Sequence, residues 1–119
     1  MRMLVKSLTS TLLPDIDTPP PPAPTVYTTA IATEADLTSC LAGITQICRS
    51  LGFNQHPETL YDEKAISATY HADHRVRGVA LAVNCNAARR TVSLAVSGLD
   101  AEEALTCFRE LERALFGDC

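Results

Sequence analysis

The stretch VRGVALAVNCNAARRTVSLAVSG, residues 76–98, decides the fold. Val79, Leu81, Val83 and Cys85 take alternate positions, and Val92, Leu94 and Val96 repeat the pattern shortly after. A strand points successive side chains to opposite faces, so each run buries one face and opens the other. The connection between the runs is too short for a parallel crossover and suits an antiparallel hairpin. Upstream, Ile66, Ala68 and Tyr70 alternate with Ser67, Thr69 and His71 in the same way. Three antiparallel strands with one buried side are therefore expected.

Two helices flank these strands. In TEADLTSCLAGITQICRSLGF, residues 33–53, Leu37, Cys40, Leu41, Ile44, Cys48 and Leu51 recur at helical spacing. Thr33 is the expected cap, with Asp36 three residues on. Gly52 supplies a left-handed stop, after which Phe53 folds back toward Cys48. In LDAEEALTCFRELERALFGD, residues 99–118, Asp100 caps and Glu103 completes a box-like pair. Ala104, Leu105, Phe108, Leu111 and Leu115 form the inner stripe, and Gly117 ends the helix. TVYTTAIAT, residues 25–33, is β-branched and alternating, which suits a short strand. NQHPETLYDEKA, residues 54–65, reads as a loop in which His56 is exposed, with no nearby partner that suggests catalysis.

The expected fold is α+β: a (β)αβββα two-layer sandwich, with both helices on one face of an antiparallel sheet. Its expected core is Leu37, Leu41, Ile44, Leu51, Val79, Leu81, Val83, Val92, Leu94, Leu105, Phe108 and Leu111. This domain spans residues 25–119 and follows a tail, residues 1–24. Pro19–Pro22 and Pro24 favour an extended polyproline II spacer, read as a linker or as a ligand for an SH3-type groove. Before it, Met1, Leu4, Val5, Leu8 and Leu12 share one helical arc, while Arg2 and Lys6 lie opposite. The segment has no acid before Asp15, and Pro14 would stop the helix. Three readings stay open for it: a mitochondrial presequence, a helix that docks in a partner's groove, or a frayed terminus.

The chain has 119 residues, which bounds it to one domain, and its formal net charge is −4. No apolar run is long enough to span a bilayer, and none has the form of a secretory signal. An intracellular protein of the cytoplasm or mitochondrion is expected. Five cysteines occur without CxxC spacing. Four of them lie in apolar-patterned segments and read as reduced, buried small hydrophobes.

The segment YHADHRVRG, residues 70–78, holds the densest polar chemistry: His71, Asp73, His74, Arg75 and Arg77. A zinc site needs three or four ligands in good geometry, and these crowd one turn between strands. No metal and no cofactor are expected. No P-loop, GxGxxG or GxSxG occurs, and the acids of the last helix stand beside arginines on a solvent face. Catalysis is not expected.

In element order, αβββα over about residues 33–117, the chain resembles the double-stranded RNA-binding domain and the two small Alu-binding proteins of the signal recognition particle. The resemblance implies an RNA-binding subunit of a ribonucleoprotein. Arg75 and Arg77 at one end of the sheet, with Arg89 and Arg90 at the other, would then meet the phosphates. That family places lysines at the start of its second helix, where this chain has Asp100, Glu102 and Glu103.

The outward strand positions point elsewhere. Ser67, Thr69, Gly78, Ala80, Ala82, Thr91, Ser93, Ala95 and Ser97 are small, and none is charged. A smooth face of this kind suits a helix or a second sheet, and a sheet edge suits a strand. The leading expectation is a non-catalytic protein–protein interaction module, an accessory subunit of a larger assembly. Thr69, Ala80, Ala82, Ser93 and Ala95 would meet one partner surface, and Leu4, Val5, Leu8 and Leu12 would dock at a second. A small acidic chaperone or immunity-type protein is a further reading, and a homodimer is compatible with it.

Overall fold

The computed structural model describes residues 23–117. The chain runs β1 (Thr25–Ala32), α1 (Leu37–Ser50), β2 (Phe53–Tyr61), β3 (Ser67–His74), β4 (Val79–Asn86), β5 (Thr91–Gly98) and α2 (Ala101–Phe116). The strands form one antiparallel sheet in the order β1-β5-β4-β3-β2. Helix α1 packs on β2, β3 and β4, helix α2 packs on β5, β1 and β4, and the helices touch each other. This is the expected α+β sandwich, with both helices on one face. Among the described residues, no helix is long and apolar enough to cross a membrane.

Alternation places the core. Tyr70 and Ala72 of β3, Val79, Leu81, Val83 and Cys85 of β4, and Val92, Leu94 and Val96 of β5 all turn toward the helices and are buried. Ile44 and Cys48 of α1 and Cys107 and Leu111 of α2 close the layer from above. Leu37, Leu41, Leu51 and Phe108 pack around it, half-buried. Leu105 is half-buried outside that cluster, and Cys107 takes the inner position instead. The apolar arc of α2 is therefore rotated toward its small residues, Ala104 and Cys107, which let the helix approach the sheet closely.

Residues 53–61 are a strand and not a loop. The segment FNQHPETLY carries no apolar alternation because it forms an edge strand, exposed along most of its length. Pro57 has no N–H to donate, and an edge is where a sheet tolerates that loss. Two register shifts, between Phe53 and Gln55 and between Gln55 and Glu58, bend the strand, and His56 sits there at φ 51°. The bend brings His56 Nδ1 to 3.2 Å from Asp73 Oδ2, a contact between two exposed side chains.

The helix caps differ from expectation in the same local way. Asp36, not Thr33, caps α1 and accepts from the Ser39 N–H at 2.7 Å. That bond to the charged carboxylate lowers the Asp36 pKa. The Thr33 hydroxyl instead accepts from the Ala35 N–H, and the Thr33 N–H donates to Arg90 C=O, which prolongs the ladder. Asp100 caps α2 as expected, accepting from the Glu102 and Glu103 N–H groups. Glu103 does not close a box: its Oε1 accepts from the Gly78 N–H at 3.2 Å and ties α2 to the β3–β4 turn.

Candidate interaction surface

The polar cluster of residues 70–78 resolves into structural roles. Strand β3 continues to His74, so the turn is Arg75–Gly78, and Asp73 is a strand residue instead of a turn residue. His74 is half-buried at the end of β3. Its Nδ1 accepts from the Val76 and Arg77 N–H groups at 3.1 and 3.0 Å. Its Nε2 then carries the proton and donates to Leu51 C=O at 3.1 Å. One imidazole thus joins the β3–β4 turn to the end of α1, with Phe53 edge-on beneath it at 4.9 Å between centroids. Tyr70 points inward as expected and donates its hydroxyl proton to Phe53 C=O at 2.8 Å. Among the described residues, no group of three or more His, Cys, Asp or Glu side chains converges as metal ligands.

The described cysteines are free thiols packed into the helix–sheet layer. Burial pushes the Cys48 thiol up to about 12. Burial, and then the hydrogen bond from Cys40, push Cys85 up as well. Nucleophilic cysteines need the opposite shift, because the thiolate is the reactive form. Cys40, half-buried on α1, donates to Cys85 Sγ at 2.9 Å. With an alkylating agent under native conditions, Cys40 is expected to react first among these four. Cys48, Cys85 and Cys107 should react only as fast as the domain opens. Peptide mapping by mass spectrometry reads the order, and early labelling of Cys48 would contradict the packing.

The side of the sheet away from the helices is open. Register aligns its side chains in rows that cross the strands. One row runs Leu60, Thr69, Asn84, Ser93 and Ala30; the next runs Glu58, His71, Ala82, Ala95 and Thr28. Ala80 lies one row further, opposite Asp73 and Ser97. Thr69, Ala80, Ala82, Ser93 and Ala95 therefore share one continuous surface. Small side chains leave a depression of about 400 Å³ there, lined by Thr28, Ala30, Thr69, Ala82, Asn84, Ser93 and Ala95. Asn84 completes its floor, donating to Thr69 Oγ1 at 2.8 Å and to Ala68 C=O at 3.3 Å. Its place in the alternation, between Val83 and Cys85, was the signal in the sequence that it belongs to this face. Among the described residues of this face, charge is confined to the β2–β3 corner, at Glu58 and Asp73.

The arginines lie apart. Arg75 and Arg77 occupy the β3–β4 turn, and Arg89 and Arg90 the β4–β5 turn at the other end of the strands. Arg77 Nη1 lies 3.2 Å from Cys107 Sγ and 3.4 Å from Glu110 Oε1; the sulfur contact first, and then the carboxylate, raise its pKa further. Arg90 Nη1 is 3.9 Å from Glu34 Oε1. The four do not form one patch. Leu4, Val5, Leu8 and Leu12, with the proline-rich segment up to Pro22, lie outside the described residues. No protein-family model, curated protein or solved structure matches the chain.

Proposed function

We propose that the domain is a non-catalytic protein–protein interaction module, an accessory subunit that receives a partner's helix on its open sheet face. One observation carries this reading. The central rows of that face, Thr69–Asn84–Ser93–Ala30 and Ala82–Ala95–Thr28, hold small side chains without charge. A helix needs a smooth, weakly hydrated floor to approach a sheet, and removal of apolar surface from water supplies the driving force. The outer face of α2, by contrast, carries the exposed side chains of Glu102, Arg109 and Glu110, a solvated surface.

The test uses Ala82→Glu and Ala95→Lys in the full-length chain, with the wild type as bait in parallel. Cross-linking and mass spectrometry identify the partner and the peptides that meet. Both variants are expected to keep their melting behaviour and to lose at least about tenfold in affinity, roughly 1.4 kcal/mol. Unchanged binding of both would remove the open face from the interface. Retention of the chain on RNA at low salt, weakened by Arg89→Ala with Arg90→Ala, would replace this reading with the ribonucleoprotein one.

A further inference from the structure

The two edges of the sheet are unlike. Edge β2 is bent by two register shifts and interrupted by Pro57, with Glu58 beside them. Devices of this kind protect an edge from pairing with another chain. Edge β1 has none of them. It pairs with β5 residue for residue from Thr25 to Ala32 without a shift. From Thr25 to Thr33 it carries no charged side chain, no proline and no glycine. Two of its apolar residues are left exposed, Val26 at 56% and Ile31 at 37%. The strand is held firmly from behind, where Tyr27 meets Phe108 of α2 at 5.8 Å between ring centroids.

The direction of its outward backbone groups follows from one bond. The Thr33 N–H donates to Arg90 C=O, one step beyond the Ala32–Thr91 pair. In an antiparallel ladder such residues alternate, so the odd-numbered residues of β1 bond to β5. The N–H and C=O groups of Val26, Thr28, Ala30 and Ala32 therefore point away from the sheet, in a row.

We propose that β1 is a homodimer interface, pairing antiparallel with β1 of a second copy about a two-fold axis at Thr29. This deepens the reading of the domain as an interaction module and rests on it. The register is chosen by the residues. Centred on Thr29, it makes the four outward residues hydrogen-bond partners: Val26 with the second copy's Ala32, and Thr28 with its Ala30. On the helix side it sets Ile31 against the second copy's Tyr27, an aromatic–β-branched pair of the kind that stabilises neighbouring strands. Glu34 then faces Pro24 of the second copy, so no like charges meet. A two-fold interface must be self-complementary, and this strand meets that condition along its whole length. The two five-stranded sheets join into one, and their open faces become continuous.

Sedimentation equilibrium on the full-length chain at micromolar concentrations tests the proposal. A dimer is expected. In Ala30→Pro the lost N–H is one that points away from β5, so the fold keeps its ladder while the dimer loses a bond. Should that variant fail to fold, a second pair decides. Thr28→Lys with Ala30→Lys sets like charges opposite each other across the two-fold axis, and Thr28→Glu with Ala30→Glu does the same. Each double variant is expected to be monomeric alone, with at least about tenfold weaker self-association, and the two to dimerise when mixed. A monomeric wild type, or a dimer indifferent to these variants, would overturn the β1 interface. The reading of the open face is tested separately through Ala82 and Ala95; Ala82 on β4 lies two strands from this edge, whereas Ala95 on β5 adjoins Thr28, so Ala82→Glu is the discriminating variant. Loss of partner binding in their variants, with a monomeric wild type, would leave that reading standing.

Discussion

Gly52→Ala is expected to destabilise the domain by about 2–4 kcal/mol, read as a shift of the urea midpoint at unchanged slope. Two costs add at this position. Gly52 has φ +99°, a conformation that a side chain rarely adopts. A Cβ built there would lie 2.5 Å from His74 Nε2. The imidazole cannot step aside, because its two nitrogens are engaged with Leu51 C=O and with the Val76 and Arg77 N–H groups. The second variant, Gly52→Ala with His74→Ala, separates the terms. If the clash dominates, adding His74→Ala to Gly52→Ala costs less than His74→Ala costs alone. A Gly52→Ala protein as stable as the wild type would mean that the α1–β2 turn is not built as described.

The other large effect is expected at Leu111. Leu111→Ala should cost about 2–5 kcal/mol, the range for deleting a fully buried leucine whose cavity cannot collapse. The side chain is 0% exposed, between α2 and the sheet, with Cys107 and Ala104 in the turns before it. Leu105 stands on the same helix outside the core cluster, and Leu105→Ala is expected to cost less than half as much. Thermal or urea unfolding of the two variants side by side gives the ratio. Equal losses would place the buried stripe of α2 where the spacing alone had put it, through Leu105.

That difference shows what a sequence of this kind discloses. Alternation in β3, β4 and β5 has a period that no helix shares, so the buried face and the open face were both legible in the sequence. Helical spacing in α2 was less decisive, because Leu105 and Cys107 flank opposite edges of the apolar arc formed by Ala104, Leu111 and Leu115, and both are apolar. Only the position of the sheet selects between them. Strand β2 was hidden for a different reason. Its pairing is made by backbone atoms, and backbone hydrogen bonds leave no mark on side-chain pattern when both faces of a strand are exposed. The role of His74 was hidden too. A histidine beside Asp73 and two arginines reads as a chemical cluster until the turn is built and shows backbone N–H groups aimed at its ring. The small residues of the candidate surface, Thr69, Ala80, Ala82, Ser93 and Ala95, were legible because each lies one step from a buried neighbour.

The chain enters and leaves the folded unit at opposite ends. Thr25 lies opposite Gly98 at one end of β5, whereas Phe116 lines a groove with Ile31 near the other. Tension applied through the two ends would therefore draw β1 along its own axis past β5. Ladder bonds lie perpendicular to the strands, so such a pull strains the whole row together instead of opening it bond by bond. A domain tethered through both ends would resist stretching far more than a hairpin peeled from its tip.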